Sequence, residues 1–134
     1  MMRSPWAFPL LSGLGVWVAA TAVFWPLGHV VVPVADTAAA WAFVLALGGG
    51  SLLLGALLGD VQARLLGRTG HDARLRLGVA LAAVGLLGDA ALMTVAGFAY
   101  PALAVERQAT LAVFLLYAYG ALAVGPLIRL RRDG

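Results

Sequence analysis

The stretch that decides the fold runs from Leu75 to Tyr100 and reads LRLGVALAAVGLLGDAALMTVAGFAY. A helix of about 20 apolar residues crosses a hydrocarbon core of roughly 30 Å, and this stretch is long enough to do so. One carboxylate, Asp89, lies about 20 Å of helix from Arg76 and about 15 Å from Tyr100. At that depth an ionisable side chain costs about 2.5–3.5 kcal/mol on insertion scales. The sequence therefore predicts a membrane-spanning helix whose acidic side chain faces protein or water, not lipid.

The composition of the whole chain also indicates a membrane protein. Of its 134 residues, 63% are hydrophobic and only 11% are charged, whereas roughly half and a quarter are usual for soluble domains. Cysteine is absent, which excludes disulfides, thiolate metal sites and thiol nucleophiles. The net charge is +3, but the arginines lie near the ends of the apolar segments. Membrane orientation explains that placement, and no nucleic-acid partner is expected.

Four apolar segments predict an all-α, polytopic bundle of four transmembrane helices that forms a single membrane domain, residues 1–134. The predicted spans are residues 8–28, 37–59, 77–99 and 109–128. Every arginine except Arg107 falls on one side of this arrangement, which the positive-inside rule makes the cytoplasmic side. Both termini are then cytoplasmic. All basic residues are arginines, a bias typical of a GC-rich bacterial genome, so we expect a multi-pass protein of the bacterial inner membrane.

The two predicted helical hairpins share a local pattern. Trp25-Pro26 and Tyr100-Pro101 occupy the same place in the first and third spans. A parallel duplication of a two-helix hairpin, about an axis along the membrane normal, would produce such a match. Chance would also produce it in a sequence rich in glycine, alanine and leucine, and both explanations stay open here.

Asp89 is a candidate ligand- or proton-binding residue, together with Tyr117 and Thr94. It shares a helix face with Gly78 and Gly85, whose small size permits close approach of another helix, so we expect Asp89 to point into the bundle. Candidate hydrogen-bonding partners are polar side chains of the third and fourth spans: Tyr117, which is preferred, Tyr119 and Thr94. Three interpretations compete. The carboxyl ties helices together, or it is a proton- or cation-coupled site or a ligand's counter-ion, or it pairs with another subunit.

Glycines at helical spacing predict the helix-packing surfaces of the second and third spans: Gly55, Gly59, Gly78 and Gly85. Between these spans lies a short basic connection, whose arginines we expect to meet anionic lipid headgroups: Arg64, Arg68, Arg74 and Arg76. Asp60, at the end of the second span, is expected to pair with Arg64 four residues later.

Signatures of catalysis and of metal binding are missing from the sequence. His29 and His71 fall on opposite sides of the predicted membrane and cannot share a metal ion. The chain has no Ser-His-Asp set, no two-carboxylate motif on one helix and no glycine-rich phosphate loop after a strand. We therefore expect no cofactor and no catalytic residue, and an enzyme is the least favoured class.

The segment from Phe98 to Gly125, FAYPALAVERQATLAVFLLYAYGALAVG, with the earlier LLGD of Leu86 to Asp89, resembles a group of uncharacterised four-helix bacterial inner-membrane proteins. The resemblance covers roughly the second half of the chain and implies neither an activity nor a site residue. Small multidrug exporters and dual-topology fluoride channels are of similar size. The first should carry a glutamate in the first span, and the second a membrane-embedded arginine with a glycine-rich motif, and neither pattern is present.

Two functional hypotheses follow. In the first, the protein is a small transporter or a ligand- or lipid-binding unit that uses the buried carboxylate of Asp89. In the second, it is a structural or accessory subunit of a larger membrane complex, in which Asp89 and the glycines serve helix packing. Membrane lipids are expected partners in both. The glycine surfaces exceed what four helices need, so a homo-oligomer or another membrane subunit is also expected.

Overall fold

The computed structural model of the chain describes residues 4–96 and 103–130, and these residues form an all-helical bundle. It contains four long helices and a short 3-10 turn: α1 (Ala7–Val31), α2 (Ala38–Leu66), α3 (His71–Ala96), α4 (Val105–Val124) and the turn Gly125–Leu127. Each long helix is long and apolar enough to cross a membrane. The predicted all-α fold with four candidate spans is therefore confirmed for this part of the chain, and four such helices indicate a multi-pass membrane protein.

Each helix extends beyond its predicted span at one end or both, although α4 ends at Val124, before the predicted limit at residue 128. The second helix continues to Leu66, past the predicted limit at residue 59, and ends at Gly67, whose φ of 63° is left-handed. It begins after Thr37, whose hydroxyl accepts a hydrogen bond from the Ala40 backbone N–H at 3.1 Å. The prediction stopped at the first charged residue, but long polar side chains at a helix end reach the membrane surface without ending the helix. The predicted end of the third span at residue 99 lies outside the described residues.

Helices α1 and α2 follow each other in the chain but do not form one of the main packed pairs. Helix α1 packs along α3, α2 packs along α4, and α3 packs along α4. Gly13 lies against Ala80 and Trp17 against Gly88, so α1 and α3 run parallel. Helices α1 and α2 are not packed along each other, which leaves space between them.

The four glycines predicted for helix packing lie where helices approach most closely. All four are buried. A Cβ added to Gly78 would lie 2.1 Å from a backbone oxygen of α4, and one added to Gly85 would lie 2.1 Å from the Tyr119 ring. At Gly55 and Gly59 the added atom would lie 3.0 and 2.9 Å from atoms near the end of α4. Larger residues at these positions would push α4 away from α2 and α3.

Two apolar clusters lie on either side of the bundle's middle. We call the end of the bundle with the α1–α2 connection the Arg107 end, and the end with the α2–α3 connection the Arg74 end. The cluster at the Arg107 end includes Val44, Leu111 and Phe114. The cluster toward the Arg74 end consists of Leu77, Leu81 and Leu122. Along α3, Asp89 lies between Leu81 of the second cluster and Leu92, which packs against the first. The arrangement places a polar group in the central part of an apolar bundle.

The Arg107 end is held together by bonds between the α1–α2 connection and the start of α4. The Ala35 backbone N–H donates to the Glu106 carbonyl at 2.8 Å, and the Arg107 guanidinium donates to the Val32 carbonyl. Asp36, with a φ of 59°, makes the turn before α2. These contacts fix where α1 ends relative to α4.

Candidate functional site

The candidate site is built around the carboxylate of Asp89, which is only 7% exposed. The indole Nε1–H of Trp17 on α1 donates to its Oδ1 at 2.9 Å. The hydroxyl of Tyr119 on α4 donates to its Oδ2. A single side chain of α3 is therefore bonded to both helices that pack against α3, and its orientation is fixed by one donor on each oxygen.

Two glycines beside Asp89 make room for the rings that hold it. A Cβ at Gly88 would lie 2.5 Å from the Trp17 indole, and a Cβ at Gly85 would lie 2.1 Å from the Tyr119 ring. Each aromatic ring therefore occupies space that the Cβ of any residue other than glycine would need. The sequence Gly85-Leu86-Leu87-Gly88-Asp89 thus supplies both the acid and the two recesses that seat its donors.

The prediction that Tyr117 is the preferred hydrogen-bonding partner of Asp89 is wrong. Tyr117 is 53% exposed, and its Cβ lies 3.6 Å from the position of a Cβ at Gly48 on α2. The alternative, Tyr119, makes the bond. Thr94 is also exposed and donates to the Ala90 carbonyl of its own helix at 2.8 Å. The structure therefore brings only one of the three predicted partners to Asp89.

Trp17 is the site residue that sequence reasoning missed. A signal for it was present, because tryptophan in membrane helices is usually found at the two interfaces, whereas Trp17 lies inside the first span. A buried indole N–H also needs an acceptor. Those two facts together would have pointed to a bond between the first span and the acid in the third.

A cavity of about 670 Å³ borders this site. Side chains from all four helices line it, and most of them are apolar. Asp89, Trp17 and Tyr119 form one polar wall, and the hydroxyl of Ser51 is taken by the Leu47 carbonyl at 2.8 Å. The volume falls in the range of about 300–1,000 Å³ that small-molecule sites occupy.

The chemistry available at this wall is that of a hydrogen-bond acceptor. An ionised carboxylate has about four acceptor positions on its two oxygens, and Trp17 and Tyr119 take one on each oxygen. The remaining positions suit a donor group such as an ammonium or a hydroxyl. A charge-assisted bond of this kind is roughly twice as strong as a neutral one.

A second polar cluster lies at the Arg74 end and corrects two predictions. Arg74 is 5% exposed and donates to Asp60 Oδ1 at 2.6 Å and to the Pro126 and Ile128 carbonyls at 2.8 and 3.2 Å. It is therefore not a headgroup-facing arginine. Asp60 pairs with Arg74, not with the predicted Arg64, because the first turns of α3 direct Arg74 into the bundle, where Gly59 leaves room for it.

The other three arginines between Arg64 and Arg76 stay candidates for contact with lipid headgroups. Arg64 is exposed, and Arg68 and Arg76 are half-buried. Arg68 donates to the Pro5 carbonyl and Arg76 to the Asp72 carbonyl, both at 3.2 Å. These three positions lie at the Arg74 end, where a polar headgroup would be met.

Metal-ligating side chains do not gather anywhere in residues 4–96 and 103–130. His29 and His71 are both exposed and lie at opposite ends of the bundle. No protein-family model, curated protein or solved structure matches the chain.

Proposed function

We propose that the protein is a small integral membrane protein that binds an apolar ligand through the carboxylate of Asp89, as a binding unit or as a transporter. The observation that carries the proposal is one buried carboxylate at the wall of a cavity of about 670 Å³ that is otherwise mainly apolar. The ligand class that matches this wall is an apolar molecule with one cationic or hydrogen-bond-donating group.

Pre-orientation of the carboxylate supports binding. Trp17 and Tyr119 hold Asp89 from two different helices, so little further ordering is needed when a ligand arrives. In an interior of low dielectric constant, the bond to a donor is stronger than in water. An apolar molecule without a donor group gains nothing from this wall and is expected to bind more weakly.

The test compares Asp89→Asn with the unchanged protein. Asparagine has nearly the same shape, its Oδ1 accepts from Trp17, and its amide group donates to the Tyr119 hydroxyl, so the fold is retained while the charge is lost. Asp72→Asn is the matched control, because Asp72 is an exposed carboxylate on the same helix. The probes are a fluorescently labelled long-chain amine and the uncharged alcohol with the same chain, titrated in mild detergent.

We expect Asp89→Asn to raise the Kd of the amine tenfold or more, which corresponds to about 1.4 kcal/mol. The Kd of the alcohol should rise less, and Asp72→Asn should change neither. Equal affinity of Asp89→Asn and the unchanged protein for the amine would contradict the proposal. Uptake of the amine into vesicles containing the protein, abolished by Asp89→Asn, would extend the function from binding to transport.

The alternative function is that of a structural or accessory subunit. It is favoured by the fact that both Asp89 oxygens already have donors within the chain, as a helix-joining device requires. In that case Asp89→Asn leaves probe binding unchanged, whereas Asp89→Leu lowers thermal stability because Trp17 and Tyr119 lose their acceptor. Oligomeric state, or a second membrane subunit, would be read from the mass of the complex in mild detergent.

The same proposal places the protein in the bacterial inner membrane with both termini in the cytoplasm, which the distribution of arginines supports. Because the chain has no cysteine, single cysteines report the side of the membrane directly. Asp36→Cys and Gly70→Cys lie in the two connections at opposite ends. A membrane-impermeant maleimide added outside intact cells should label the first and not the second.

The parallel duplication of a hairpin stays a prediction, and the order of packing does not favour it. A rotation of 180° about the membrane normal moves each helix of a four-helix ring to the opposite corner. Helix α1, however, lies beside its counterpart α3, and α2 lies beside its counterpart α4.

A further inference from the structure

We infer that the gap between α1 and α2 is a lateral window through which the alkyl chain of a bilayer amphiphile reaches the cavity. From the two helices that flank this gap, the cavity is lined by Gly15 and Ala19 of α1 and by Leu47, Gly50 and Leu54 of α2, and we take these residues as the borders of the window. The inference rests on the proposed function, because it takes Asp89 as the group that the amphiphile's donor meets. It adds the route of access and the class of ligand.

Contacts above and below the window hold the two helices at a fixed separation. Toward the Arg107 end, the rings of Phe24 on α1 and Phe43 on α2 meet edge to face, with their centroids 6.3 Å apart. Phe114 of α4 packs against both rings, at 5.4 and 5.3 Å. Toward the Arg74 end, Phe8 of α1 and Leu58 of α2 pack against one apolar cluster. Between these points α1 and α2 are not packed on each other.

The edges of the window are apolar, and two of the residues there, Gly15 and Gly50, have no side chain. A Cβ added to Gly15 or to Gly50 would meet no atom within 4 Å, although both residues border the cavity. Both lie well inside helices that can span a membrane, so hydrocarbon surrounds the window. An opening at this depth faces lipid chains and not water.

The chemistry of the cavity favours an amphiphile over a helix of a second copy. Its volume of about 670 Å³ falls in the range of about 300–1,000 Å³ that small-molecule sites occupy. Asp89 in its wall can accept a hydrogen bond from a donor group. The side chains exposed in the middle of α1, such as Leu14 and Val18, are aliphatic and would bring no such donor.

The polar wall then decides which amphiphile is retained. Moving an alkyl chain from lipid into an apolar cavity brings no hydrophobic gain, because lipid tails are equally apolar. The gain comes from a donor group that reaches Asp89 while the chain passes through the window. A long-chain amine fits both requirements, and ordinary lipid chains are its competitors.

The test is photolabelling of the full chain in phosphatidylcholine vesicles that contain a long-chain amine with a diazirine in its chain. Leu81 and Leu122 line the cavity but are only 2% and 4% exposed, so adducts on them report occupancy and not surface contact. The closing variant is Gly15→Leu combined with Gly50→Leu. Its matched control is Gly49→Leu combined with Gly120→Leu, since those glycines also have open space around them but do not border the cavity.

We expect adducts on Leu81 and Leu122 to fall at least fivefold in the closing variant and to persist in the control. Ala20→Leu, at another residue that borders the cavity, is an independent closing variant if the double substitution does not fold. Unchanged labelling in folded closing variants, no adducts in the unchanged protein, or cross-linking of two chains through the window would overturn the inference. If Asp89→Asn leaves the labelling unchanged while closing abolishes it, the role of Asp89 fails and the window stands.

Discussion

Replacement of Arg74 by methionine should destabilise the bundle more than replacement of any other arginine in the α2–α3 region. Arg74 bonds α3 to Asp60 on α2 and to the Pro126 and Ile128 carbonyls that follow α4. Methionine keeps most of the apolar stem, so the loss comes from the guanidinium and not from packing. Three helix ends lose their common link in one substitution.

The expected loss of unfolding free energy follows from the Asp60 carboxylate that the substitution leaves buried without its partner. Removing one partner of a buried ion pair costs about 3–5 kcal/mol, because the other charge remains buried and unpaired. Asp60 lies near the end of α2, where some water can reach it, so we expect about 3 kcal/mol. Asp60→Asn should cost less, since Arg74 keeps two carbonyl partners. The double substitution should cost about 1–3 kcal/mol less than the sum of the two single ones.

The assay is reversible unfolding in mixed detergent micelles, followed by far-ultraviolet circular dichroism, which gives the free energy of unfolding for each variant. Arg76→Met is the matched control, because among the described residues Arg76 bonds only to the Asp72 carbonyl of its own helix. We expect the control to stay within about 0.5 kcal/mol of the unchanged protein. The reasoning fails if Arg74→Met and Arg76→Met have the same free energy of unfolding, or if the double-mutant cycle shows no coupling between Arg74 and Asp60.

Three further predictions use the same measurement. Gly78→Ala places a Cβ 2.1 Å from a backbone oxygen of α4 and should lower the free energy of unfolding by more than about 2 kcal/mol. Gly120→Ala meets open space and should be neutral or stabilising by up to about 1 kcal/mol. Equal effects of the two substitutions would refute the close contact between α3 and α4. Tyr119→Phe removes a donor from the buried carboxylate and should cost about 1–3 kcal/mol, whereas Tyr117→Phe should change stability little, and the reverse order would refute the assignment of the donor. Thr37→Ala removes the N-cap of α2 and should cost about 1 kcal/mol, so an unchanged free energy of unfolding would show that the cap contributes nothing.

The sequence was sufficient to predict four spans because length and hydropathy are properties of each segment alone. It could not predict which side of each helix meets its neighbours. The helices are apolar nearly all round, so periodicity carries little information about their orientation. The sequence therefore does not distinguish Tyr117 from Tyr119, and only the structure shows that the side of α4 that meets α3 carries Tyr119 and Ala123.

Hydrogen bonds between residues far apart in the sequence could not be predicted either. Trp17 and Asp89 are 72 positions apart, and no local pattern links them. Arg74 was grouped with its neighbours in a basic connection, yet helix α3 begins at His71 and turns Arg74 inward. In both cases tertiary packing decided the outcome, after local preference had fixed only the helices.

The bond between Trp17 and Asp89 has a consequence for biogenesis. The ribosome makes α1 before α3, so the indole is already in the bilayer when the acidic helix is inserted. Helix α1 thus offers the Trp17 indole as a hydrogen-bond donor to Asp89 while α3 enters the bilayer. We expect this bond to lower the free-energy cost of inserting α3. Truncating α1 should therefore reduce the yield of correctly integrated protein, even though the rest of the chain carries its own lipid-compatible segments.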